Sequence, residues 1–310
     1  MSEMDHKSFV ASLTSEQRLS LTERRDLPGL IHLALHLALI VAGGVAIMAG
    51  VPGWPVILVL QGVLLVFLFT LLHETVHRTP FASEALNIWS GRLVGLVICL
   101  PPEWFRYFHL AHHKFTHDPD RDPELEGDPP ADWDGYIRIL SGLPVWRFHL
   151  RTVIENALGR AKAPWLPVSA HARVRNEAQW MLAVYASIAM TGFAAGATWL
   201  FWCWLLPMLL GQPFLRLYLM AEHGRCPHVA NMFENTRTTY TARLVRWLAW
   251  NMPYHAEHHA YPNVPFHKLP ALHRLTQPHL RVTERGYWRF HLGFQRWLSQ
   301  NFRNAGPSDR

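Results

Sequence analysis

Between Leu27 and His73 the chain carries no lysine, arginine, aspartate or glutamate, and the stretch from Ala178 to Leu215 is equally uncharged. Each run is about twice the ~20 residues a helix needs to cross the hydrocarbon core of a bilayer. Each also holds a turn near its middle, at Val51-Pro52-Gly53-Trp54-Pro55 and from Thr191-Gly192-Phe193 to Gly196, where proline and glycine interrupt a helix. The pattern predicts two helical hairpins, with spans near residues 30–50, 54–73, 178–196 and 198–218. Four buried helices of a soluble bundle would carry an amphipathic stripe with charges on one face, and that stripe is missing. The segment Leu86 to Leu100 is apolar but short and contains Arg92. It reads as an interfacial or re-entrant helix near 86–100, because a true span there would carry the following segment across the membrane.

Composition agrees: half of the residues are hydrophobic, 14 are tryptophan, and 17% are charged. Lys7, Arg18, Arg24 and Arg25 precede the first hairpin, many Lys and Arg residues flank the second, and the turns inside both hairpins are uncharged. The positive-inside rule then places both termini and the long central loop in the cytoplasm, in a cell inner membrane. The first 28 residues are polar and charged without an apolar core, so no cleaved leader is expected. The expected fold is an all-α integral membrane protein, a single domain over residues 1–310 with four transmembrane helices and a cytoplasmic helical cap. The net charge of +6 has its source in that orientation and does not argue for nucleic-acid binding.

Three histidine clusters mark the chemistry: His73 and His77 in HETVH, His109, His112 and His113 in HLAHH, and His255, His258 and His259 in HAEHH. Spacings of three and four put successive imidazoles on one helix face, where they can share a first-row transition metal. By the topology above, all eight fall on the cytoplasmic side. Cys99, Cys203 and Cys226 are isolated, which argues against an iron–sulfur cluster or zinc ribbon. There is no GxGxxG and no phosphate loop, so redox chemistry here takes its electrons from another protein. HETVH matches the HExxH of zinc proteases, with Glu74 as base. A zinc hydrolase would use about three protein ligands and leave most of the second and third boxes unexplained. Haem would need axial histidines facing each other across spans, and a transporter would hold its ligands near the bilayer midplane.

In order and spacing, HETVH, HLAHHKFTHDPDRDPE and NMPYHAEHHAYPNVPFHKLP resemble the histidine boxes of the membrane fatty acid desaturase superfamily, from about His73 to Pro270. The resemblance implies a non-haem di-iron centre, four spans and a cytoplasmic active face. It also implies a ninth ligand, His223 in AEHGRCP, at the place of an additional histidine in stearoyl-type relatives. Those relatives hold a metal-bound water with an asparagine one turn earlier, where this chain has Leu219, and Glu222 is a candidate substitute. Glu74, Asp118, Asp122 and Glu257 sit inside or just after the boxes and are candidates to fix imidazole tautomers; Asp118 and Asp122 equally suit a solvated loop ordered with Arg121. The polar run from Glu234 through Asn235 to Thr239 reads either as a loop over the site or as plain surface.

The expected function is an O2-dependent di-iron oxidase of alkyl chains (two Fe per chain, O2 as co-substrate), most simply a fatty acyl desaturase. No catalytic residue beyond the metal ligands is assigned. Similar boxes serve hydroxylases, alkane monooxygenases and a fatty acid decarboxylase that forms terminal alkenes. The expected partners are a lipid or fatty acyl substrate, the membrane, and a separate ferredoxin, rubredoxin or cytochrome-type donor with its reductase. His32 and His36 share one face of the first span and are expected to hydrogen-bond in the bundle interior.

Overall fold

The computed structural model describes residues 4–126 and 130–304; the extreme termini, expected on the cytoplasmic side, lie outside them. The structure is mostly helical and divides into two compact units. The first comprises Arg24–Ala111 with Val145–Leu215, and the second comprises the chain before Arg24, His112–Pro144 and Arg216 onward.

In the first unit the two halves of the leading apolar run form the helices Asp26–Met48 and Trp54–Val76. Gly50 (φ +62°) and Gly53 (φ +86°) turn the chain between them, in the left-handed region that side chains with a Cβ avoid. The second run forms the helix His171–Ala194, then a π-helical turn Phe201–Leu205 that continues as the helix Leu206–His223. Among the described residues, three helical stretches are long and apolar enough to cross a membrane, Ser15–Met48, Trp54–Val76 and Phe201–His223, or four if the bent pair Glu84–Val97 and Pro102–Phe115 counts as one span. The helix His171–Ala194 stands at the third expected span but is not among these three, since its first turns carry Arg173, Arg175 and Glu177 and its remainder is diluted by polar residues.

The π turn has a local cause. Pro207 lacks the N–H that would pair with the Cys203 carbonyl in an α-helix. Gln61, buried in the Trp54–Val76 helix, supplies the donor instead, with its Nε2 at 3.3 Å from Cys203 O. One turn further on, a Cβ built on Gly62 would lie 2.2 Å from Pro207 O, and one on Gly211 would lie 2.3 Å from Gly62 O. The two helices therefore touch backbone to backbone, the close approach that small residues allow in membranes. Gly62→Ala is expected to force the helices apart and lower stability by about 1–3 kcal/mol. Gly293→Ala, whose new methyl meets nothing within 4 Å, serves as the control. Equal thermal midpoints for both variants in detergent would contradict this packing.

The expected interfacial segment is the helix Glu84–Val97, separated by a short break from the helix Pro102–Phe115, and the two axes differ by 101°. Pro101 and Pro102 disfavour continued helix at the residues before them, and Gly95 admits the returning chain, since a Cβ there would sit 2.4 Å from Pro102 Cγ. The carbonyls left over at the end of the first helix are met by side chains. Leu96 O accepts from Tyr185 at 2.7 Å, Val97 O from Trp204 Nε1 at 2.9 Å, and Ile98 O from His149 Nδ1 at 3.2 Å. At the start of the Pro102–Phe115 helix, the Glu177 carboxylate accepts from the Glu103 amide at 2.6 Å, a favourable place for negative charge.

The second unit packs around a cluster of Tyr136, Ala221, Phe290, Phe294 and Leu298, the last three on the helix Tyr287–Asn304. His291 Nε2–H donates to Leu217 O at 2.7 Å, which leaves Nδ1 to accept the Tyr136 hydroxyl at 3.1 Å and fixes a neutral ring. The all-α expectation misses one element. Two-residue strands β1 (Thr238–Thr239) and β2 (Thr283–Glu284) pair in parallel, and Thr238 bridges Tyr254. Strands this short carry no alternation that a sequence pattern reveals.

Candidate metal centre

In the first unit, His73 and His77 lie one turn apart at the end of the Trp54–Val76 helix, where His77 is the C-cap. The Pro102–Phe115 helix brings His109 to them. Its Nε2 is 3.0 Å from His77 Nε2, its ring is 4.2 Å from that of His73, and one nitrogen of each of the three lies within 4.8 Å of the others. Phe105 stacks on His109 with centroids 5.4 Å apart. Glu74 is fully buried beside this group and accepts from Thr79 at 3.0 Å.

In the second unit, His112, His223 and His259 bring one nitrogen each within 4.8 Å of one another. His112 Nε2 and His255 Nε2 lie 3.2 Å and 3.1 Å from His223 Nε2. His113 stacks on His259 at 4.0 Å and 7°, and meets the His258 ring edge-on at 4.9 Å. All three histidines of the third box are buried in the short helix His255–Ala260.

The far nitrogens decide what the near ones can do. His112 Nδ1 is 2.9 Å from the buried Asp122 carboxylate, which only accepts. His223 Nδ1 is 3.3 Å from the carbonyl of Asn235, again only an acceptor. The Thr116 hydroxyl spends its proton on His112 O at 2.8 Å, so it accepts from His259 Nδ1 at 3.2 Å. Each ring, when neutral, therefore carries its proton on Nδ1 and turns its Nε2 lone pair toward the others. The lone pairs of His112 and His223 face each other, and His259 Nε2, buried, has no hydrogen-bond partner among the described residues. With His112 neutral, acceptor faces acceptor, which is repulsive unless a proton or a metal cation lies between them, and imidazole nitrogens held from behind by carboxylates and carbonyls are the usual setting of a first-row metal. The residues present fit a metal.

Electrostatics divide the group: burial disfavours charge on His112, but the carboxylates of Glu124 and Asp122 outweigh it and raise the ring above its ordinary value. Burial, and after it the neighbouring imidazoles of His113, His255, His223 and His112, hold His259 far below the ordinary histidine range, so the ring is neutral and free to ligate. Burial alone would raise Asp122, but the bond from His112 and the amides of His117 (2.8 Å) and Glu124 (3.0 Å) outweigh it and keep the carboxylate ionised.

The candidate carboxylates thus have different places. Asp122 backs His112, whereas Asp118 pairs with the exposed Arg121 and orders its own loop. Glu222 Oε1 is 3.5 Å from His255 Nδ1. Glu257 bonds to Thr238 and to His273 Nδ1. Sequence reasoning passed over Thr116, and it named Asn235 only within a run that reads either as a loop over the site or as plain surface. It also passed over Glu124, whose Oε2 is 3.6 Å from His112 Nε2, and His117, whose ring lies 4.9 Å from His228 and 5.5 Å from His223. The run HDPDRDPE named the segment, but only the tertiary fold shows which of its members turn inward.

The sequence model of the family described as fatty acid desaturase matches residues 49–292, a span that holds all three boxes and His223. The chain is 24% identical over 277 residues to the sn-1 acyl-lipid omega-3 desaturase (ferredoxin) of Synechocystis sp., covering 81% of this chain and 76% of that protein. It is 24% identical over 209 residues to a mouse sphingolipid delta(4)-desaturase/C4-monooxygenase, and 26% identical over 214 residues to a sphingolipid delta(4)-desaturase of Xenopus tropicalis. Those two alignments each cover 66% of this chain and 59% of the relative, so the match spans less than two thirds of the sphingolipid enzymes' own length. The chain belongs to the fatty acid desaturase family and is an oxidoreductase.

Proposed function

We propose that this desaturase-family member is an O2-dependent non-haem di-iron oxidase that removes two hydrogens from adjacent carbons of a fatty acyl chain. The observation that carries the reading is the set of Nε2 lone pairs of His112, His223 and His259, aimed at one another with their Nδ1 protons already committed. His73, His77 and His109 in the first unit, with His113, His255 and His258 in the second, complete the proposed set of nine ligands for two irons. When bound, the irons supply the O2-derived oxidant that an unactivated methylene C–H requires; zinc has no redox chemistry of its own.

The protein residues supply the rest. Asp122, the Asn235 carbonyl and Thr116 hold the ligand tautomers, so that no proton has to leave an imidazole when metal enters. In this reading an alkyl chain reaches the site from the bilayer, with the active face and both termini toward the cytoplasm. An external donor delivers the two electrons, and the ferredoxin in the name of the Synechocystis relative supports a donor of that class. Oxygen insertion is the second reading, favoured by the mouse relative whose name joins desaturase to C4-monooxygenase.

Lipids and hydrocarbons of a bacterial host expressing the chain with a ferredoxin donor, compared by mass spectrometry with the His112→Ala variant, test the proposal. The expected product is an acyl chain lighter by two hydrogens, absent from the variant. A product with an added oxygen would move the activity to hydroxylation, and an alkene one carbon shorter than its parent acid would move it to decarboxylation. One bound zinc per chain with no such product would overturn the reading.

A further inference from the structure

The polar run Asn235–Thr239 is buried throughout, with Asn235, Thr236 and Thr238 wholly inaccessible. Polar side chains are taken out of water only where partners await them, and here the partners are the segments that carry histidines. Asn235 Nδ2 donates to Thr116 O, at the end of the second-box helix, and to Val229 O, at 3.2 Å and 2.8 Å, and the Thr236 hydroxyl holds its Oδ1 at 2.8 Å. The Asn235 carbonyl accepts from His223 Nδ1. Arg237 closes the last turn of the helix that ends at His223. Its amide donates to Glu222 O at 2.8 Å and its guanidinium to Ala221 O and Gly224 O, while the cation rests on the Phe290 ring at 4.7 Å. Thr238 donates its hydroxyl to Glu257, between His255 and His258, and the Thr239 amide donates to Pro253 O at 2.9 Å.

From these contacts we infer that Asn235–Thr239 is a strap of positioning residues that sets the spacing and the tautomers of the second-box end, His223 and the third box before metal binds. The inference rests on the metal reading above. No member of the strap touches a reacting atom. Each acts through the backbone or a neighbour of a ligand, and the cost of losing one is a ligand displaced from the others. Glu257 belongs to the same device: its carboxylate ties the third-box helix to Thr238 on one side and to His273 on the other.

The purified full chain, freed of metal by chelation and titrated with Co(II) while its ligand-field absorption is followed, provides the test. Wild type is expected to take up two equivalents. Thr238→Val removes one hydroxyl at nearly constant volume and is expected to weaken Co(II) binding about 10–100-fold, the usual effect of losing a partner behind the ligands. Thr238→Ser restores the hydroxyl and is expected to return wild-type affinity, a rescue that a volume effect alone would not give. Asn235→Ala is expected to weaken the equivalent bound through His223 while the other keeps its affinity. If that variant does not fold, the Thr238 pair decides. Thr238→Val binding Co(II) as tightly as wild type would overturn the strap and leave the metal reading standing. Wild type binding no Co(II) would overturn both.

Discussion

Replacing His112 by alanine is expected to abolish oxidation of the acyl chain and to remove at least one of the two irons. His112 is where the second-unit group is joined: its Nε2 lies 3.2 Å from that of His223, its Nδ1 engages Asp122, and its carbonyl takes the Thr116 proton that sets the tautomer of His259. Alanine keeps the carbonyl and hence the Thr116 bond, so the loss is that of the ring. Asp122 then keeps its two amide donors but lacks the imidazole, a buried deficit of about 1–3 kcal/mol. Iron counted by plasma mass spectrometry in protein purified under identical conditions checks the expectation, and two irons with full product formation in the variant would refute the assignment.

Asp122→Asn is expected to lower metal affinity about 10–100-fold although no ligand is removed. The two carboxylate oxygens of Asp122 each accept from a backbone amide, Oδ2 from His117 at 2.8 Å and Oδ1 from Glu124 at 3.0 Å, while both face His112 Nδ1. Asparagine replaces one acceptor by an NH2 group. Whichever way the amide turns, one backbone N–H meets a donor, and the negative charge that keeps the His112 proton on Nδ1 is gone. Competition of wild type and variant for iron against a chelator of known affinity measures the difference. Equal affinity would mean that Asp122 orders the loop and nothing more.

Much of this was legible from residue types and spacing. Two uncharged runs broken by proline and glycine give helical pairs because a bilayer admits little else, and helices stand at those positions. The histidines at spacings of three and four lie together because one helical turn puts them together. What spacing does not encode is partnership across the chain. Asp118 and Asp122 are equivalent in sequence, yet the turn after His117, itself at φ +63°, sends one to Arg121 and the other to His112. The run Glu234–Thr239 has the composition of a surface loop, and its burial follows from carbonyls and hydroxyls of segments far away in sequence. The π turn was hidden for a similar reason, since Pro207 announces a missing donor but not that Gln61 replaces it.

The pairing of β1 with β2 has a consequence for biosynthesis. Thr238 N donates to Val282 O at 3.2 Å, Tyr240 N to Glu284 O at 2.8 Å, and Arg281 N to Phe233 O at 2.9 Å. Every proposed ligand, His259 included, is synthesised before the segment that pairs with β1, because chains grow from the N-terminus. A nascent chain halted before Arg281 holds the full complement of imidazoles without the strand that pairs with β1. Under the proposed metal reading, capture of metal by the second-unit group is then expected to follow synthesis of residues that bind no metal.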